Sequence, residues 1–309
     1  MHNDLRSAGW KSTDLPLRAV VKELTPYLKD SGIQHFRNLF YIAEQNLSLA
    51  HCLQHNHIMH LAVPGYDYSS IIGCYGSYKA IDTVKLDGQI LSGSKGWLTN
   101  LFDSDVVVLQ APISTGQRYH IAIELSSTPH ILSHTHPGSI GMIGASPGML
   151  IFPAPIELNQ NQILNEVGSP EAFITANYAN YSFITNHVGL IIGLYQQLLS
   201  YKKTQDPELT YRCKMLELDI AALKMAWEDN LPTTAITSSS DKFWNNRNTQ
   251  FAQCKKVLLN LIQFVLEMGI HDFIDNSSDT STRFRDALTF VTHMTSLHKC
   301  HKELYYTRF

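Results

Sequence analysis

Histidine is the most plentiful residue type here that can do chemistry near neutral pH, with 15 copies in 309 residues. His51 and His55 stand four apart in a stretch that reads as helix, a spacing that puts two imidazoles on one face and could share a metal ion. His134 and His136 alternate in a stretch that reads as loop. No HExxH context accompanies any of them, and scattered surface or pocket histidines are the preferred reading over a metal centre. The five cysteines, Cys52, Cys74, Cys213, Cys254 and Cys300, are odd in number, widely spaced and without a CxxC pair. That pattern argues against a disulfide framework and against a Cys-rich zinc site. Formal net charge is -3, from 24 basic and 27 acidic residues with no block of one sign. Nucleic acid is not an indicated partner, because phosphate binding needs a clustered basic face.

The elements that must position such residues fall into three stretches. Apolar residues recur at helical spacing over 17–62, with Pro26 as an interruption, and Pro64 and Gly65 end the pattern. Between 65 and 167 the chain breaks into short β-rich runs: SIIGCYGSY, AIDTVKL, QILSGSKGWLT, DVVVLQAPI, RYHIAIEL and GMLIFPAPIEL. Asp87-Gly88 can occupy the positive-φ positions of a tight hairpin turn. Six such runs close together predict a small barrel or sandwich. Helical periodicity returns in four segments, 171–202, 207–229, 241–273 and 280–308, which with short loops predict an antiparallel bundle. The class is α+β, of two or three folding units. The first ten residues carry no apolar signal region, and no apolar run is long enough to span a bilayer, so the expected setting is cytoplasmic and reducing.

Three stretches carry a family resemblance. LDGQILSGSKGWLTNLFDSDVVVLQAP (86–112) resembles the middle-domain hairpin of the acyl-CoA dehydrogenases, with Gly88, Gly93, Lys95, Trp97, Thr99, Asn100 and Asp105 in register. GMIGASPGMLIFPAPIELNQNQIL (141–164) is similar to the strand pair that follows in that family, through Gly141, Met142, Ser146, Phe152 and Leu164. RFRDALTFVTHMTSLHKCHKELYY (283–306) resembles its last helix, with Arg285, Asp286 and Ala287 intact. Gly189 and Gly193, four apart, match the first bundle helix, where small residues allow close helix contact.

The resemblance implies a reduced N-terminal helical domain (1–63), a small middle β-barrel domain (64–167) and a C-terminal four-helix bundle (168–309). It implies FAD as cofactor, with Trp97 walling the isoalloxazine, Thr99 offering a donor to N5, and Ser146 and Gly269 among the cofactor contacts. It implies His293 as the proton-handling residue, as in the monooxygenase-like branch. The expected partners are a small-molecule substrate, an acyl thioester or an aromatic compound, and further copies of the chain in a dimer or tetramer. The family pattern also fails in places. Met294 stands where the dehydrogenases carry their catalytic glutamate, and a thioether has no titratable proton. Ile143 replaces an arginine. PGYDYSSIIGCYGS (64–77) and EMGIHDF (267–273) stand where two cofactor-binding loops are expected. The function expected is a flavin-dependent oxidoreductase of dehydrogenase or monooxygenase type, the alternative being a non-catalytic scaffold or binding protein that kept the fold.

Overall fold

The computed structural model describes residues 4–12, 15–29, 32–63, 65–75, 82–134, 145, 147–167, 169–200, 207–232, 241–267 and 284–288. The first layer is three helices, α1 (Leu17–Leu28), α2 (Ile33–Gln45) and α3 (Leu47–Ala62). α2 and α3 are separated by Asn46 alone, whose extended backbone breaks the helix while its side chain accepts from the Leu49 amide. That capture satisfies one free donor of the new helix, which is why asparagine starts helices well. Pro26, read from sequence as an interruption, lies inside α1 in its last turn. Pro26 removes one backbone bond, and the helix continues past it to the Lys29 amide, which donates to the Thr25 carbonyl. The carbonyls at its end are taken up by α2: Asn38 Nδ2 donates to the Tyr27 carbonyl and His35 Nδ1 to that of Leu28.

Eight strands follow: β1 (Ile72–Tyr75), β2 (Lys85–Asp87), β3 (Ile90–Thr99), β4 (Val106–Pro112), β5 (Arg118–Glu124), β6 (Ile131–His134), β7 (Gly148–Glu157) and β8 (Ile163–Glu166). They form one sheet in the order β6-β7-β3-β1-β4-β5-β8, with β2 also on β3. β6 and β8, four residues each, were not among the six runs read from sequence. Among the described pairings β6 and β8 end the path and are not joined to each other. The β2–β3 hairpin forms at the predicted place, but Asp87 stays in the strand opposite Ile90 and only Gly88 takes positive φ, 58°.

The sheet serves two cores. Val107, Leu109, Ile121 and Ile123 point into a core of the sheet's own, with Leu91, Leu98, Leu150 and Phe152. Their neighbours Val106, Val108 and Ala122, with Ile72, join the large core built by the helices. This period-two alternation is what a strand buried on both faces requires.

Three long helices complete the described fold: α4 (Pro170–Ser200), α5 (Pro207–Asp229) and α6 (Asp241–Glu267); residues 284–288 are also helical. The predicted fourth helix, 280–308, otherwise lies outside the described residues. No helix among the described residues is long and apolar enough to cross a membrane.

α4 packs directly on α2 through its two glycines. A Cβ on Gly193 would sit 2.2 Å from the Glu44 carbonyl oxygen, and one on Gly189 would sit 2.7 Å from the Phe40 carbonyl oxygen. The Glu44 side chain closes the same contact, accepting from Gln196 of α4 at 2.7 Å and from Arg6. Farther along, Phe40 stacks on Trp227 of α5, whose indole N–H donates to Thr185 of α4. Gly193→Ala should therefore destabilise the fold by about 1–3 kcal/mol, the usual cost of overpacking. Gly32→Ala, at a site with nothing within 4 Å of the added methyl, should change it little. Urea denaturation of the two variants against the parent checks this.

Candidate functional site

Of the seven residues in register with the dehydrogenase hairpin, Gly88 makes the turn before β3 and the other six lie along β3 or just beyond it, most with a structural task there. Gly93 takes φ 94°, and a Cβ on it would lie 2.3 Å from the Thr83 carbonyl oxygen. Lys95 is fully buried and donates to Asp82 Oδ2 at 2.8 Å, Asp82 being equally buried. Asn100 has φ 62° and is also fully buried; its amide donates to the Ala145 carbonyl and its Nδ2 to the Cys52 carbonyl of α3 at 3.0 Å. Asp105 accepts from the amide of Ile71, the residue before β1, and from both terminal guanidinium nitrogens of Arg18 on α1. The Arg18 hydrogen bond helps hold the Asp105 carboxyl below its usual range, against the opposing pull of partial burial.

Two residues of the set are left to describe, Thr99 and Trp97. Thr99 is nearly buried and pairs with Cys74 of β1. Trp97 is 36% exposed with φ 57°, a backbone conformation costly for a bulky residue. The β3–β7 register shifts between Lys95 and Leu98, so the indole stands on a bulge. Bulges re-aim side chains and recur beside active sites.

The helical residues 284–288 reach the same helix, α3. Asp286 of the Arg285-Asp286-Ala287 segment is buried and accepts from Ser48 of α3 at 2.9 Å. Ser48 and Cys52 are one helical turn apart on α3. The end of β3 and the helical residues 284–288 are thus moored to adjacent turns of one helix. The Cys52 thiol registers this geometry: burial pushes its pKa up first, with the Asp103 and Asp286 carboxylates adding to the shift. Ser48, Cys52 and Asp82 were not singled out by sequence reasoning, and no local signal marks them.

His51 and His55 share that face of α3. Their Nε2 atoms lie 3.1 Å apart with one hydrogen between them, and both rings pack edge-on to Phe183 of α4. Among the described residues no three His, Cys, Asp or Glu side chains converge as a metal site. A second histidine group lies elsewhere on α3. His57 is buried, its ring 4.1 Å from that of His35, and neither of its nitrogens has a hydrogen-bond partner. His60 donates to the Ser70 carbonyl and stacks on Tyr68.

Of the other residues expected at the site, His293, Ser146 and Gly269 lie outside the described residues. A groove of about 930 Å³ between Tyr66, Glu124, Ile156 and Gln162 is lined by neither Trp97 nor Thr99. Polar groups along it already bond to one another, Tyr66 to Glu124 and Gln162 to the Ala122 carbonyl.

A helical layer, an eight-stranded sheet and long helices, joined at the end of β3, define the acyl-CoA dehydrogenase fold, and solved structures of that class superpose on the chain. Butyryl-CoA dehydrogenase from Megasphaera elsdenii matches with a TM-score of 0.74 at 10% identity, over 92% of this chain and 86% of that one. A glutaryl-CoA dehydrogenase from Mycobacterium smegmatis in complex with FADH2 matches at 0.70 and 11%, over 91% and 83%. A Paenibacillus TdsC in complex with FMN and indole matches at 0.67 and 12%, over 93% and 88%. No family model and no curated protein matches the chain by sequence.

Burial holds the His57 pKa well below the usual histidine range, and the neighbouring His35 and His60 add to it. The unfolded chain binds that proton below about pH 6.5 and the folded one does not. Stability from this group is therefore complete above that pH and falls as the solution is acidified through it. His57→Phe, at a site beside a cavity of about 20 Å³, should flatten the loss of stability between pH 7 and 5. Urea midpoints measured across that range check the prediction.

Proposed function

We propose that the chain is a flavin-dependent oxidoreductase whose flavin ring lies against Trp97 and Thr99. The observation that carries this reading is the exposed, conformationally constrained indole at the end of β3, moored beside the last helix through Ser48 and Cys52. The residues present fit the flat part of such a cofactor. Trp97 offers an aromatic face, and Thr99 offers a hydroxyl at the adjoining strand end. FAD is the flavin that the resemblance implies, with Ser146 and Gly269 as further contacts. A bound flavin would supply the electron transfer, while the protein orients it and excludes water.

Proton handling falls to histidine in this reading, because Met294 cannot serve as a base. His293 is one candidate. The His51–His55 pair is the other: it holds one shared hydrogen on the α3 face that carries Ser48. An imidazole near neutrality can both give and take a proton. The substrate proposed is a small acyl thioester or aromatic compound, and the division into 1–63, 64–167 and 168–309 is carried forward as part of the same proposal, as is the cytoplasmic setting. A dimer or tetramer is supported by an exposed apolar stripe on α5, Tyr211, Met215, Leu218 and Met225.

A specific observation also favours the alternative, a scaffold or binding protein without flavin. Gly93, Lys95, Asn100 and Asp105 each hold the fold together, so these motif residues would persist without a cofactor.

Purified protein should carry the absorption bands of an oxidised flavin or take up added FAD. Trp97→Ala should weaken that binding by roughly 0.5–1.5 kcal/mol, about two- to tenfold, the worth of an aromatic stacking pair. Protein that stays colourless and binds neither FAD nor FMN in a fluorescence-quenching titration leaves the scaffold reading. In light scattering the parent should exceed the monomer mass, and Leu218→Glu should reduce it toward the monomer.

A further inference from the structure

We propose that Asp82 and Lys95 are positioning residues that force Trp97 into its strained backbone conformation and so fix the direction of the indole. Both side chains are fully buried, and together they grip one residue, Gly96, from two sides. Asp82 Oδ1 accepts from the Gly96 amide at 2.9 Å. Lys95 Nζ donates to the Gly96 carbonyl at 3.1 Å and to Asp82 Oδ2 at 2.8 Å. That carbonyl belongs to the peptide whose nitrogen is Trp97, so its orientation limits the φ that Trp97 can adopt.

The distribution of strain supports this assignment. A glycine adopts positive φ almost without cost, and Gly96 is the natural residue to absorb the turn at this bulge. Yet Gly96 is not among the glycines with positive φ, whereas Trp97, next to it, has φ 57°. Left-handed backbone costs a residue with a Cβ roughly 1–2 kcal/mol. Such strain persists only where surrounding contacts over-determine it, and it gathers at ligand-binding positions. The contacts that over-determine it here are the ion pair on one side and the pairing of Leu98 with Tyr75 and Gly148 on the other. A buried ion pair is seldom the most stable way to fill its space. In this protein its return is a single orientation for an exposed indole.

What the indole then does rests on the flavin reading above; the positioning itself can be tested without any ligand. The full chain is labelled with 5-fluorotryptophan, giving ¹⁹F resonances for Trp10, Trp97, Trp227 and Trp244, with Trp97→Phe to assign the second. The double variant Asp82→Ala/Lys95→Met removes both charges and both hydrogen bonds to Gly96. It should shift and broaden the Trp97 resonance while leaving Trp10 and Trp227 in place. An unchanged Trp97 resonance in the folded double variant overturns the proposal. The strain has its own test in the parent background. Trp97→Gly should be favoured over Trp97→Ala by about five- to thirtyfold in the folding equilibrium constant. In the double variant that preference should collapse. Equal stability of the two substitutions in the parent also overturns the proposal, even if the double variant does not fold. Flavin binding is measured separately on the parent, so a colourless parent with the expected resonance shift sinks the flavin reading alone.

Discussion

The structure depends on how β3 ends. Within four residues the chain takes left-handed backbone twice, at Trp97 and at Asn100, and it must be held there from both sides. Asn100 is a residue type that tolerates this conformation; tryptophan is not. From within the sheet the hold is the Asp82–Lys95 pair on Gly96. From the helices it is the Asn100 carboxamide on the Cys52 carbonyl. Removing one partner of a buried ion pair leaves a charge without compensation, at a cost of about 3–5 kcal/mol. The two anchors therefore tie the course of the sheet to the position of α3.

α3 in turn has little freedom. Its Ser48 hydroxyl holds Asp286 and its Gln54 amide oxygen accepts from Asn186 of α4. The neighbouring helix α2 is locked to α4 by glycines whose backbone approaches that of Phe40 and Glu44 too closely for any side chain. Arg18 of α1 reaches across to Asp105 at the foot of β4. Layer by layer, the direction of the Trp97 indole follows from contacts far from it.

The histidines divide by environment. His57 sits in apolar surroundings beside His35, Tyr68 and Tyr178, where the charged form is disfavoured and the imidazole serves as a neutral core ring. His120 is likewise buried between Gln110 and Asn165, with its pKa lowered mainly by desolvation. His51 and His55 differ: they are half-buried and bonded to each other.

The sequence by itself determined the coarse order of helices, then strands, then helices, the α+β class, the β2–β3 hairpin and the close approach of Gly189 and Gly193 to another helix. These are local properties: apolar periodicity, turn chemistry and the absence of a side chain act within a few residues of themselves. It also placed Trp97 and Thr99 at a strand end, one wall of the candidate site. The tertiary structure alone decided that Lys95 answers Asp82, that Asn100 answers a carbonyl 48 residues away, and that Asp286 answers a serine 238 residues away. It alone put the left-handed conformation on Trp97 instead of on the glycine beside it. Such partners are chosen by burial and by which surfaces the packed layers bring together. No spacing along the chain encodes them.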